Sequence, residues 1–165
     1  MTAELISPPG FRRGASWAGR ASQHRRRQVS RDAEGARVQP LWESLVEVLR
    51  AIDSPSSALL CTADGAPIAA YGLHRTDLTR VSAETGTVFA ARLQPVAAAD
   101  VVPAEVETVE LTAGQRHTVI ASVPGSTQTD HLLAVTAEGV SLPLLEAWTR
   151  RAAEDLREVL AAEAS

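Results

Sequence analysis

LLCTADGAPIAAYG, residues 59–72, sets two short apolar runs on either side of Ala63-Asp64-Gly65. An Asp-Gly pair supports the positive φ angles that a tight hairpin needs. Ser57–Thr62 therefore reads as a strand, Pro67–Tyr71 as its antiparallel partner and Gly72 as the stop. Pro67 falls at a strand start, where its missing N–H costs least.

Downstream, the periodicity changes from two to 3.6. Leu78, Val81, Thr85, Val88, Phe89 and Arg92 recur on one side of a helix spanning roughly Asp77–Leu93, with Asp77 as N-cap. Gly86 lies inside that helix, where glycine costs about 1 kcal/mol relative to alanine. Its presence implies close approach of another backbone, within the fold or across a dimer. Residues 94–104 form a proline-bracketed connector. Three further strands follow: Val106–Thr112, Arg116–Val123 and His131–Thr136. Ala113-Gly114-Gln115 joins the first two, and the polar loop Pro124–Asp130 joins the last two. A final helix runs from Ser141, its expected N-cap, to about Ala162, with Leu145, Trp148, Ala152, Leu156 and Val159 as its apolar stripe.

Upstream, PLWESLVEVLRAI places Leu41, Leu45, Leu49 and Ile52 on one helix face, beginning at Pro40. The expected element order is α-β-β-α-β-β-β-α. This is an α+β domain with a single five-stranded antiparallel sheet and helices on its faces, spanning residues 40–165. Leu45, Leu49, Trp148 and Leu156 are expected core, while Val81, Val88 and Phe89 fit either core or a dimer interface.

Residues 1–39 read as a disordered basic tail, too polar to offset their ordering entropy. A start codon placed too far upstream would give the same composition. Residues 1–40 carry eight Arg against Glu4, Asp32 and Glu34, or +5; the rest carries eight Arg against 17 acids, or −9, for the net charge of −4. Arg12, Arg13, Trp17, Arg20, Arg25, Arg26 and Arg27 are the expected contacts to an anionic membrane or nucleic acid, with aromatic insertion or stacking by Trp17. The bland alternative is a solvated tail.

Catalytic chemistry finds little footing. Cys61 is the sole cysteine, ends an apolar strand and reads as a small buried hydrophobe. A single cysteine also fits a reducing cytoplasm. No GxSxG, HExxH or GxxxxGK[ST] pattern occurs. His117 and His131 stand on strands that could be neighbours, so a two-histidine metal site is conceivable, but ordinary strand positions are the expectation. Neither cofactor nor metal is expected. No apolar run reaches the roughly 18 residues that cross a bilayer, so a cytoplasmic protein, at most peripheral at a membrane, is expected.

The element order together with LLCTADGAPIAAYG resembles the Roadblock (dynein light-chain) family, whose architecture is profilin-like. VETVELTAGQRHTVIASVPGSTQTDHLLAVT looks like that family's three-strand meander and LLEAWTRRAAEDLREVL like its closing helix. The resemblance covers residues 40–163; the basic tail and the connector depart from the compact pattern and inherit no role.

The resemblance implies a homodimer, or a pair with a second Roadblock-like chain. The strand after the second helix would lie at the sheet edge and pair with its mate, and the second helices would pack together. Val81, Thr85, Val88, Phe89, Arg92, Val106, Thr108 and Glu110 are the residues expected there. It further implies a non-catalytic scaffold or regulator of a Ras-like small GTPase, working beside histidine-kinase-like sensors in bacteria. The alternatives are an adaptor tethered by its arginine-rich tail and a small-ligand sensor domain.

Overall fold

The computed structural model describes residues 35–93, 105–124 and 131–162. Helix α1 is present over 35–51, followed by β1 (Ser56–Thr62), β2 (Pro67–Tyr71), α2 (Leu78–Leu93), β3 (Thr108–Ala113), β4 (Arg116–Val123), β5 (His131–Glu138) and α3 (Leu142–Ala161). The five strands form one antiparallel sheet in the order β2-β1-β5-β4-β3. The expected element order holds.

The opening hairpin follows its sequence signal. Gly65 N–H donates to the Thr62 carbonyl at 2.9 Å, and Gly65 adopts φ +89°. Thr62 reinforces the turn from beneath. Its N–H donates to Ala66 O at 2.9 Å, its hydroxyl accepts from Ala66 N–H at 3.0 Å, and the same hydroxyl bonds the Asp64 carboxylate. The β1–β2 register slips between Leu60 and Cys61, leaving Ile68 as the extra residue of a bulge.

Strand alternation gives the sheet two buried faces. Ala58, Leu60, Val119, Ala121, Leu133, Val135 and Ala137 point to one side, under α1 and α3. Leu59, Cys61, Val109, Ile120, Leu132 and Ala134 point to the other, where α2 supplies Leu78, Val81, Val88 and Phe89. The core is built from Leu, Val and Ala, as the scarcity of aromatics requires.

Two helix faces differ from expectation. On α1 the buried residues are Val38, Trp42, Leu45, Val46 and Leu49, while Leu41 is half-buried. The helix is already formed at residue 35, upstream of Pro40, and Val38 is 1% exposed. Pro40 is thus inside the helix; the carbonyl it cannot serve belongs to exposed Ala36 and is open to water.

On α3 the buried line is Leu145, Thr149, Ala153, Leu156 and Leu160, and Trp148 is only half-buried. Apolarity alone favours Trp148 over Thr149. Thr149 is nevertheless fully buried, because its hydroxyl donates to the Leu145 carbonyl at 2.7 Å and leaves no polar deficit. Ser141 is the N-cap residue in extended geometry, but its hydroxyl makes no capping bond.

Gly86 answers the question raised by its position: the close approach is within the fold. A Cβ added there would lie 2.7 Å from the Ala63 carbonyl oxygen in the β1–β2 turn. On the opposite side of the same contact, a Cβ on Gly65 would meet Ala83 Cα at 3.0 Å. Helix and turn therefore pack backbone to backbone. In an ordinary helix interior Gly→Ala stabilises by about 1 kcal/mol. Here the sign reverses: Gly86→Ala should destabilise by about 1–3 kcal/mol, read as a lower urea midpoint at unchanged slope.

Candidate partner interface

β3 closes one border of the sheet, bonded on one side to β4 and to no strand on the other among the described residues. Such a border presents unpaired N–H and C=O groups. The strand starts at Thr108, later than the expected Val106. Just upstream, Ser122 N–H donates to Glu107 O at 2.8 Å, but Glu107 N–H bonds the Ser122 side-chain oxygen at 2.9 Å. A hydroxyl replaces a backbone carbonyl, and the regular ladder begins one residue later.

Along this border the side chains alternate. Val109 and Leu111 join the α2-side core. Thr108 and Glu110 therefore point to the α3 side. There Arg150 of α3 gathers three groups. Its guanidinium donates to Glu146 at 2.9 Å, to the Thr108 hydroxyl at 3.3 Å and to the Val106 carbonyl at 3.3 Å. The hydrogen bond from Arg150 holds the Glu146 carboxyl below the usual carboxylate range. Glu110 remains exposed beside this group.

The interface residues expected from sequence thus fall on two sides of one border. Val81, Val88 and Phe89 are half-buried against the sheet and keep a residual exposed rim, so they serve the core first. Thr85 is buried and its hydroxyl donates to Val81 O at 2.8 Å, while Arg92 is exposed in the last turn of α2. Val106 is 6% exposed in the α1/α3 core and offers a partner almost no surface. Thr108 and Glu110 stand on the border itself. Arg12, Arg13, Trp17, Arg20, Arg25, Arg26 and Arg27 lie outside the described residues.

Sequence reading missed Arg150 and Glu146. Their i, i+4 spacing marks a helical ion pair, but nothing in it shows that the pair would reach across to β3. It also missed a groove of about 180 Å³ between α1 and α3, lined by Leu41, Leu45, Val48, Trp148, Ala152 and Leu156 among others.

Other chemistry is disfavoured by placement. His117 pairs with Ala137 and His131 with Val123, at opposite ends of the β4–β5 ladder, so the two cannot share a metal. Among the described residues no group of three or more His, Cys, Asp and Glu could hold a metal ion. Cys61 faces α2, whereas its neighbour in sequence, Thr62, pairs with His131 on the other side of the sheet. No helix among the described residues is long and apolar enough to cross a membrane.

No family model matches the sequence, and no curated protein does either. Solved structures do match. A Roadblock/LC7 domain from Streptomyces avermitilis aligns with TM-score 0.52 at 18% identity, over 72% of this chain and 92% of that one. Gliding protein MglB from Thermus thermophilus aligns with TM-score 0.57 at 18% identity, over 76% and 91%. Myxococcus xanthus MglB gives TM-score 0.57 at 15% identity, over 76% and 88%. These likenesses establish the fold: the chain has the Roadblock architecture.

Burial pushes the Cys61 thiol up from 9.0 to about 12, with the nearby Asp64 charge adding to the shift. A raised acid favours the fold while the thiol stays protonated in both states. That contribution is full below pH 9.0 and is lost as pH rises toward about 12. Cys61 should therefore resist thiol reagents at pH 8 in the native protein and react at once in denaturant. Rapid native labelling would show that the strand opens.

Proposed function

We propose that this chain is a non-catalytic, dimeric scaffold or regulator that holds a Ras-like small GTPase. The observation that carries this reading is the open β3 border, set beside α2, in a fold shared with a Roadblock domain and with MglB. Two copies joined there would form a continuous sheet with paired α2 helices and a composite surface wider than either copy. Candidate copies are a second identical chain or another Roadblock-like chain, and a histidine-kinase-like sensor is a further partner on the same surface.

The inert Cys61, the separated histidines and the lack of a phosphate-binding loop motif support a binding role over an enzymatic one. Regulation would arise from unequal affinity for the two nucleotide states, since equal affinity shifts no equilibrium. Calorimetry with a Ras-like GTPase from the same genome, loaded with GTP analogue or with GDP, should give affinities that differ by about tenfold or more, a coupling of the ordinary size for two linked sites. Equal affinities would remove regulation and leave a scaffold; absence of binding to every such GTPase would remove the reading.

The charge separation, +5 in residues 1–40 against −9 beyond, favours a second role for the arginine-rich segment as a tether to anionic surfaces. Binding to vesicles containing anionic lipid, or to duplex DNA, should fall steeply with salt and vanish on deletion of residues 1–34. No binding at low salt would exclude it.

A further inference from the structure

The sheet has a second open border, at β2, which is bonded to β1 on one side and to no strand on the other among the described residues. Beside it, α1 and the end of β2 form a cleft of about 370 Å³, lined by Trp42, Glu43, Val46, Glu47, Arg50 and Tyr71 among others. Glu43 and Glu47 are exposed on its α1 wall, one helical turn apart. Like charges at that spacing repel. Glu43 accepts a hydrogen bond from the Gln39 amide at 2.7 Å, and neither carboxylate forms an ion pair among the described residues. Arg50 also lines the cleft, but its guanidinium lies over the Tyr71 ring, 5.8 Å from the centroid. Two acids without a cation thus stand next to a row of open backbone groups.

The chain outside the described residues suits this cleft in charge, reach and spacing. Residues 1–34 hold seven Arg against Glu4, Asp32 and Glu34, or +4, while residues 35–165 hold nine Arg against 17 acids, or −8. Residue 34 leads directly into α1, the helix that carries both carboxylates. Glu43 and Glu47 lie about 12 and 18 Å along α1 from residue 35, at about 1.5 Å per residue. Arg27 and Arg25 precede residue 35 by eight and ten residues, reaches of up to about 28 and 35 Å when extended. The intervening chain is therefore long enough to turn back along the helix. Alternate side chains of an extended segment stand about 6.6 Å apart on one face, and one helical turn separates the carboxylates by about 6 Å. Arg25 and Arg27 match that interval, and in such a segment Arg26 would point the other way.

We propose that the arginine triplet of this same chain docks in the cleft between α1 and β2, Arg27 at Glu43 and Arg25 at Glu47. The segment runs back along α1, and its backbone lies against the open border of β2. Tethering raises its local concentration to the millimolar range, so two exposed ion pairs populate the contact, and salt weakens it. An anionic surface that binds the triplet must first displace it from the cleft.

The chain contains no lysine, so an introduced lysine is its only side-chain amine. A carbodiimide joins an amine directly to a carboxylate in contact with it. At low salt, full-length Arg25→Lys and Arg27→Lys should each form an intrachain amide, mapped by peptide mass to Glu47 and Glu43 respectively, in a product of monomer mass under denaturing conditions. Arg26→Lys should couple to neither. Both products should be lost at about 1 M salt, where the Debye length is about 3 Å. Hydrogen exchange gives a second measurement without altering the triplet: the β2 amides should exchange severalfold faster in Glu43→Gln/Glu47→Gln than in the unaltered chain. Equal coupling by Arg26→Lys, or coupling spread over acids outside the cleft, would overturn the docking. Coupling found only in products of dimer mass would make a second copy's segment the occupant and overturn the intrachain assignment. No coupling together with unchanged exchange would overturn the docking and leave the tethering role standing.

Discussion

Helix α2 reaches the sheet through a contact between backbones. The Ala63 carbonyl of the β1–β2 turn lies where a side chain at position 86 would begin, and Ala83 stands over Gly65 in the same way. Backbone contact brings the helix closer to the sheet than side-chain packing would. It also fixes where along the sheet the helix lies. Anchored at this turn, α2 lies over β1, β2 and β5. The open border at β3, by contrast, follows from the strand order.

The two faces are finished by different means. Under α1 and α3 the packing is continuous and apolar, and α3 crosses β4, β5 and β3. Where that cover runs out, at β3, the contact becomes polar: Arg150 spans Glu146, Thr108 and the Val106 carbonyl. An arginine suits such a margin, since its planar fork can hold several oxygens at once while its stem lies along apolar surface. A partly exposed ion pair adds little stability. Its larger effect here is to fix the position of the border strand. Because α3 is itself seated on the apolar core, β3 inherits a defined position despite having a neighbouring strand on only one side.

Much of this is legible in the residues. The Asp-Gly turn, the strand alternation and the unusual Gly86 each rest on short-range stereochemistry, and each structural feature lies where its signal does. The edge position of β3 comes from the family resemblance, and the sheet order agrees with it. What is not legible depends on tertiary pairing. The buried line of α3 runs through Thr149 and past Trp148, because a hydroxyl satisfied by its own helix can be buried while a large indole fits better at a groove margin. The start of α1 escapes sequence reading because Pro40 resembles a first-turn residue when its exposed surroundings are unknown. Arg150 reads as a helical ion pair, but its reach to Thr108 needs coordinates, the two being far apart in the chain.

The order β2-β1-β5-β4-β3 places the sheet's central seam between the first hairpin and the last strand, with Ala58 beside Val135. Every other strand pair is closed by a short connection, while this one encloses β2, α2, the connector, β3 and β4. Loop-closure entropy rises with the length enclosed, and distant pairings slow folding. The topological burden of the molecule is thus concentrated in a single ladder at its middle. The hairpin with its helix forms one local module, the meander with α3 forms another, and that ladder joins the two halves into one sheet.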